Sequence, residues 1–313
     1  MNTRVGIIGG YLGSGKTTLV NRFLTGVLPG RTAVVINDFG SINIDASLIA
    51  SSSDDTIELT NGCICCQIND DATRIMTALA KRDDLDNVIC EVSGVGDPGQ
   101  LAQWREFPGF APGPVLVCAD ATAARRLLRD EFVGDTVARQ LKAAEVVLLT
   151  KTDVARPDEI EASTEACADA APEAKLIVQN AEHPDATAAE ALAPVVVANG
   201  ILNEPLSIPD VADHALVHAS ITVELDGPVD IDDVILVLTS SSTQLLRAKG
   251  IIMDKAGDWK EIQLAYGKLN INTQNIERHS SERSVIVLIA AGPEADRHVD
   301  ETAALLYGTS TFK

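Results

Sequence analysis

One segment near the start of the chain has the residue spacing of a phosphate-binding loop. GYLGSGKTT, residues 10–18, fits the pattern G-x-x-x-x-G-K-[ST]. Its glycines let successive backbone N–H groups point at a phosphate chain, and the helix that follows adds partial positive charge. We expect Lys16 to reach the β- and γ-phosphates and the Thr17 hydroxyl to bind Mg2+. The nucleotide contacts predicted from this loop are Gly10, Leu12, Gly13, Ser14, Gly15, Lys16, Thr17 and Thr18.

The residues on either side give the loop the context that this motif requires. Thr3 to Gly9 is a short apolar run typical of a buried strand. After the loop, one helical stripe carries Leu19, Val20, Phe23 and Leu24. Strand, glycine loop and helix in succession predict a nucleotide-binding domain, with a chance glycine turn as the alternative.

A second polar segment indicates which base is bound. Glu145 to Leu149 is typical of another buried strand, and TKTD follows it at residues 150–153. The carboxylate of Asp153 can accept hydrogen bonds from the N1–H and the exocyclic amine of guanine, which adenine does not offer there. The alkyl stem of Lys151 can lie over the purine. We therefore predict guanine, with an ordinary polar turn or ATP-dependent kinase chemistry as the alternatives.

Two more carboxylates each come just after a predicted strand, as the glycine loop and the TKTD segment do. Arg31 to Ile36 and Asn87 to Cys90 are predicted strands, and they are followed by Asp38 and Glu91. Open α/β sheets place their sites where strands end. Asp38 is predicted to orient the attacking water or to reach magnesium, and Glu91 to hold a magnesium-bound water. The alternative for each is a helix cap or a solvated loop acid.

The segment NGCICCQ, residues 61–67, gathers three of the chain's six cysteines. Cys63 and Cys65 alternate around Ile64, so their side chains can point the same way in an extended segment, and Cys66 follows directly. Three thiolates suit zinc or another soft-accepting divalent ion. A disulfide and small apolar filler are the alternatives. No fourth ligand is evident in the sequence, because the five histidines all lie far downstream.

Composition limits the function classes that remain. The 313 residues are 46% hydrophobic and carry a formal net charge of −20, with a pI of about 4.5. This acidity argues against nucleic acid and against an anionic membrane face as partners. No apolar run approaches the roughly 20 residues that a membrane span needs. The N-terminal segment MNTRVGIIGG resembles a first strand and not a signal peptide, so we expect a cytoplasmic protein.

Taken in order, these motifs resemble those of the CobW-type metal-chaperone GTPases. The resemblance rests on GYLGSGKTTLVN, VINDFGSINIDASLI, NGCICC, EVSGVGDP and RQLKAAEVVLLTKTD. It implies binding of GTP and GDP with magnesium, GTP hydrolysis, and loading or release of zinc or cobalt through Cys63, Cys65 and Cys66. It also implies a client metalloprotein and pairing of two copies across the nucleotide face. The alternative is a nucleotide-dependent adaptor in which the cysteines are a structural clip.

The sequence departs from that family in three places. Asp38 stands where members more often have the longer glutamate, which changes its reach toward magnesium. The histidine-rich linker of many members is absent, which argues against high-capacity metal storage. An N-terminal docking extension found in activators of methionine aminopeptidase is also absent, so that client is not expected.

The fold predicted from these patterns is α/β, with a mostly parallel P-loop sheet flanked by helices and a small α+β domain after it. We predict a GTPase domain over residues 1–200, a linker over 201–214 and a C-terminal domain over 215–313. Strands are expected at 216–225, 245–253, 259–265 and 284–290, with helices at 228–239 and 294–306. LLRAKG, residues 245–250, resembles the signature of the family's C-terminal domain. The segment Gln179-Asn180-Ala181 stands where family members place a backbone contact to guanine, so the resemblance makes Asn180 a candidate for that contact.

Overall fold

A computed structural model describes residues 3–36, 56–58, 70–193, 218–272 and 283–309. The chain divides into two compact units, and the described residues up to 193 belong to the first and those from 218 to the second. The predicted linker, residues 201–214, lies outside the described residues. Its position therefore stays a prediction.

The first unit is built on a sheet in which all described strand pairs are parallel. The strands are β1 (Thr3–Gly9), β2 (Thr32–Ile36), β3 (Thr56–Glu58), β4 (Asn87–Glu91), β5 (Phe110–Asp120), β6 (Val146–Thr150) and β7 (Lys175–Val178). Their order is β3-β2-β4-β1-β5-β6-β7. The predicted parallel α/β sheet is confirmed. Since β1 lies at its centre, the loop after β1 is flanked by strand ends on both sides.

Helices cover both faces of this sheet. They are α1 (Lys16–Arg22), which continues into a π-helical segment (Phe23–Val27), α2 (Asp70–Leu79), α3 (Pro98–Leu101), a 3-10 segment (Ala102–Glu106), α4 (Ala124–Leu128), α5 (Gly134–Lys142), α6 (Pro157–Ala170) and α7 (Pro184–Ala191). Pro157 and Pro184 each begin a helix. Proline is tolerated there because the first N–H of a helix has no partner within the helix.

The alternation of side chains along β1 explains why two cores form. Ile8 packs on one face with Val20 and Phe23, whereas Val5 and Ile7 pack on the other with helix α2 and the 3-10 segment. Each fully buried aliphatic or aromatic side chain contributes about 1.5–3 kcal/mol. These two cores hold β1 in place, and therefore fix the start of the glycine loop.

The second unit is a separate antiparallel sheet with two helices. Its elements are β8 (His218–Leu225), α8 (Ile231–Ser240), β9 (Arg247–Met253), β10 (Trp259–Ala265), β11 (Lys268–Asn272), β12 (Ser284–Ala291) and α9 (Ala295–Thr309). The strand order is β11-β10-β9-β12-β8. The predicted α+β class is confirmed, but the four predicted strands are corrected to five. The missing strand, β11, follows a tight turn at Tyr266 and Gly267, where both φ angles are positive, at 52° and 75°.

Over the described ranges, none of the helices combines the length and the apolar character needed to cross a lipid bilayer.

Candidate functional site

The candidate site lies along one edge of the parallel sheet, where the strands end. The glycine loop follows β1, Glu91 ends β4 and Asp120 ends β5. Lys151 directly follows β6. The register places the ends of neighbouring strands side by side, with Ile8 opposite Glu91 and Asp120 opposite Thr150. Sequence reasoning placed the glycine loop, Glu91 and Lys151 at strand ends, and the sheet brings them to a common edge together with Asp120, which was not predicted.

Lys16 is buried beneath the glycine loop. Lys16 is only 5% exposed. Its ammonium group donates to the carbonyl oxygens of Gly10 at 2.8 Å and Tyr11 at 3.3 Å. The Ser14 hydroxyl is also buried, and it has no hydrogen-bond partner among the described residues. A buried cation beside a hydroxyl with unused hydrogen-bonding capacity fits an anionic ligand such as a phosphate chain.

The residues beside Lys16 fit a magnesium ion. The Thr17 hydroxyl donates to Oε1 of Glu91 at 3.2 Å, and Glu91 is only 2% exposed. Hydroxyl and carboxylate oxygens are the hard ligands that Mg2+ prefers, usually together with waters and phosphate oxygens. The predicted pair of Thr17 and Glu91 is thus brought together, although their binding of magnesium stays a prediction.

Gly10 holds the loop close to β5. Its φ is +134°, and a Cβ atom there would lie 2.4 Å from the carbonyl oxygen of Cys118 and 2.6 Å from the Ser14 hydroxyl. Only glycine fits both the conformation and the space.

Gly10→Ala is therefore expected to lower the free energy of unfolding by about 2–3 kcal/mol, because strain and a backbone clash add. We also expect GDP affinity to fall about tenfold, because the loop must shift away from Cys118. Gly26→Ala is the matched control, since Gly26 has a φ of +96° and open space around its Cβ position. Chemical denaturation and calorimetric titration with GDP measure both effects. Equal losses in the two variants would contradict the role assigned to the clash.

The predicted base-recognition segment is fixed to the loops on both sides of it. The Thr150 hydroxyl donates to the Ser14 carbonyl oxygen at 2.8 Å, which connects β6 to the glycine loop. The Lys151 N–H donates to Oε1 of Gln179 at 3.1 Å, and the Thr152 hydroxyl donates to the Gln179 carbonyl at 2.7 Å. These bonds position the TKTD segment between the phosphate loop and the end of β7.

The two remaining predicted base contacts lie in exposed positions. Asp153 is exposed, so its carboxylate is accessible to a ligand. The N–H of Asn180 donates to the Thr187 hydroxyl at 3.1 Å, and its Oδ1 accepts from the N–H groups of Glu182 and His183. Both groups of Asn180 thus act within the turn that precedes α7. Its contact to guanine stays a prediction.

Gln140 holds the loop that follows Glu91. This side chain on α5 is buried, and its amide donates to the carbonyl oxygens of Gly96 at 2.7 Å and Gly94 at 3.2 Å. A Cβ atom on Gly94 would lie 2.3 Å from a methyl group of Leu12. The loop after Glu91 therefore packs against the phosphate loop, so a movement of one loop requires the other to move.

The predicted metal ligands Cys63, Cys65 and Cys66 lie outside the described residues, as does Asp38. In the ranges that the structure describes, no group of three or more His, Cys, Asp or Glu side chains is arranged to hold a metal ion.

The other three cysteines are buried. Burial raises the pKa of the Cys90, Cys118 and Cys167 thiols to about 12, so they stay protonated at neutral pH. Protonated, inaccessible thiols are poor metal ligands. They serve as small core residues.

Sequence reasoning missed three residues that shape this site. Asp120 and Gln140 were not identified, and Gln179 was noted only as part of the segment that contains Asn180. For Asp120 a signal was present, because it ends the apolar run VLVCAD and so is a carboxylate at the end of a buried strand. Gln140 carries no such signal, since its role comes from where α5 packs.

Comparison with known proteins agrees with both units. A family model described as "CobW/HypB/UreG, nucleotide-binding domain" matches residues 4–178. A second, described as "Cobalamin synthesis protein cobW C-terminal domain", matches residues 218–305.

Curated relatives give the same grouping. Zinc chaperone YjiA of Escherichia coli is 31% identical over 268 residues, which cover 79% of this chain and 81% of YjiA. Zinc chaperone CobW of Sinorhizobium sp is 32% identical over 178 residues, which cover 47% of this chain and 50% of that protein. The match thus spans half the length of the CobW relative. A crystal structure of Zn(II)-bound YjiA GTPase from E. coli aligns over 99% of each chain with a TM-score of 0.45 and 22% identity.

Proposed function

This chain belongs to the CobW/HypB/UreG family, and on that premise we propose that it is a GTP-hydrolysing metallochaperone. It would bind zinc or cobalt, bind GTP with magnesium, and deliver the metal to a client metalloprotein. The proposal that the chain binds GTP with magnesium rests mainly on one observation. Buried Lys16 lies next to the hydrogen-bonded pair Thr17–Glu91 at the edge of the sheet. The metal half is supported by the C-x-C-C spacing at Cys63, Cys65 and Cys66 and by relatives named zinc chaperones.

The described residues divide the work of hydrolysis among themselves. Lys16 would leave the carbonyl oxygens of Gly10 and Tyr11 and place its charge against the β- and γ-phosphates. Lys151 and Asp153 would hold the guanine. Thr17 and Glu91 would hold magnesium, which when bound neutralises phosphate charge. The net charge of −20 makes such local cations necessary, because the overall field repels a nucleotide.

Coupling requires that the affinity for metal differ between the GTP and GDP states. Gln140 and Leu12 contact the loop after Glu91, and through these contacts a change at the nucleotide would alter the position of that loop. The cysteine segment would respond through the loop that contains Asp38. Metal binding would release protons, because each thiol must lose its own.

The test is zinc affinity measured with GDP and with a non-hydrolysable GTP analogue. We expect the unaltered chain to bind zinc with affinities that differ by at least about fivefold between the two states. Cys65→Ala should lower the affinity by about 10²-fold or more and remove the nucleotide dependence, since a thiolate ligand is lost.

Cys167→Ala is the matched control, because it removes a buried thiol from α6. It should leave zinc binding unchanged. If Cys65→Ala behaves like Cys167→Ala, the metallochaperone proposal fails, and the adaptor with a structural clip becomes the better interpretation.

A further inference from the structure

We infer that Asp120 is a positioning residue that holds the stem of Lys151 in place as the platform for the purine base. The inference rests on the proposed GTPase function and adds a residue to its base-binding site. Neither residue is near the other in sequence. They meet because β5 and β6 are neighbours and end together, with Asp120 opposite Thr150.

The first observation is a buried ion pair at the edge of the sheet. The Asp120 side chain is 1% exposed, and its Oδ2 lies 2.7 Å from the ammonium nitrogen of Lys151. The Lys151 side chain is 35% exposed, so part of it is accessible to a ligand while its ammonium group pairs with Asp120. A carboxylate removed from water requires such a partner, because a lone buried charge is strongly unfavourable.

The second observation is that hydrogen bonds hold the Asp120 carboxylate in one orientation. The other oxygen of Asp120, Oδ1, accepts from both the N–H and the hydroxyl of Thr122, each at 2.8 Å. This fixes the plane of the carboxylate, and it directs Oδ2 toward Lys151. The ammonium group is therefore drawn to one defined point and not to a diffuse acidic surface.

The third observation is that the backbone end of Lys151 is also held. Its φ is +59°, in the left-handed region that residues other than glycine rarely adopt. Its N–H donates to the Gln179 side chain. Strained backbone conformations of this kind cluster at ligand-binding sites.

A lysine stem fixed at both ends differs from an ordinary surface lysine. Its methylene groups already lie in one arrangement, so less conformational entropy is lost when a flat ring packs on them. Asp153, the predicted guanine acceptor, is two residues away in the same segment. The structure thus assigns Asp120 to base binding through Lys151, and not to the phosphates.

A merely structural ion pair would stabilise the whole edge of the sheet, including the phosphate loop, to which Thr150 is bonded. The two roles are separated by comparing GDP with inorganic pyrophosphate, which occupies the phosphate loop but has no base. Dissociation constants for both can be measured by calorimetric titration of the full chain in the presence of magnesium.

We expect Asp120→Asn to weaken GDP binding about tenfold, because a charge-assisted contact to the platform is lost. Pyrophosphate binding should stay within about twofold of the unaltered chain. Lys151→Met removes the charge but keeps a long stem, and it should weaken GDP binding to a similar extent. In the Lys151→Met background, Asp120→Asn should then have no further effect on GDP affinity, because the partner is already gone.

Two further variants keep the inference testable if Asp120→Asn unfolds. Lys151→Arg retains a cation for Asp120, and it should recover most of the GDP affinity that Lys151→Met loses. Thr122→Val removes one bond to the same carboxylate but leaves the ion pair, and it should change GDP affinity by less than about threefold.

The possible failures are distinguishable. Independent effects of Asp120→Asn and Lys151→Met, or equal weakening of GDP and pyrophosphate, would overturn this inference and leave the proposed GTPase intact. An unaltered chain that fails to bind GDP would overturn the proposed function and this inference together.

Discussion

Lys16→Met is expected to lower kcat/KM for GTP hydrolysis by about 10³-fold, because it removes the point charge that is proposed to contact the transferring phosphoryl group. The residue is buried, and its ammonium group donates to two carbonyl oxygens of its own loop. Methionine has nearly the same length and fills the same space without the charge. We therefore expect the unfolding temperature to change little, so that the loss is one of catalysis and binding.

Lys175→Met is the matched control for that experiment. Lys175 begins β7, at the opposite end of the strands from the site, and its half-exposed side chain pairs with Glu190 at 2.7 Å. An exposed pair of this kind contributes about 0–1 kcal/mol. Steady-state phosphate release at saturating and limiting GTP measures both variants. If Lys16→Met retains a tenth or more of the parent kcat/KM, the glycine loop is not the phosphate site.

Most of the parallel sheet could be predicted because its strands are short apolar runs with polar residues after them. β1 and its loop illustrate this best, since Thr3–Gly9 is bounded in the structure as the pattern predicted. β5 (Phe110–Asp120) was not predicted from the sequence. Its first residues include Pro112 and Gly113, which are rare within strands. Their cost is met here by parallel pairing with β1.

The elements that sequence patterns missed contain few large apolar residues. α7 contains PDATAAEA, whose alanines do not distinguish a buried from an exposed face. β11 is the short edge strand KLNIN, in which the two apolar residues, Leu269 and Ile271, are only partly buried. Both are stabilised by their neighbours: α7 by packing of Ala188 and Ala191 in the core, and β11 by pairing with β10.

The candidate site divides along the same line. Lys16, Thr17 and Glu91 could be predicted because each follows a local rule about strand ends and glycine loops. Gln140 and Gln179 could not, since their side chains reach backbone groups distant in sequence. Asp120 falls between these cases. Its position at a strand end is visible in the sequence, but its pairing with Lys151 is visible only in the structure. Local pattern thus predicts the groups that are proposed to contact the nucleotide, and tertiary packing determines which residues hold those groups in place.

Glu91→Gln is expected to lower kcat for GTP hydrolysis by about 10²-fold, because the carboxylate that is proposed to hold magnesium with Thr17 becomes a neutral amide. The substitution keeps the size of the side chain and its capacity to accept from Thr17. It also removes a buried negative charge close to the expected phosphates. In magnesium-free buffer we therefore expect GDP affinity to stay equal or to increase, in contrast to its decrease for Lys16→Met.

Glu145→Gln provides the matched glutamate control at the opposite end of the strands. Glu145 accepts from the Arg105 guanidinium at 2.8 Å and from the Val115 N–H at 3.1 Å. Its replacement should lower the free energy of unfolding by about 1–2 kcal/mol, since a charge-assisted pair is weakened, and kcat should not change. Glu91→Gln should show the reverse, because replacing a buried carboxylate by a neutral isostere costs little stability. If Glu91→Gln lowers stability and leaves kcat intact, the carboxylate is a structural partner of Thr17, and magnesium must be held by other residues.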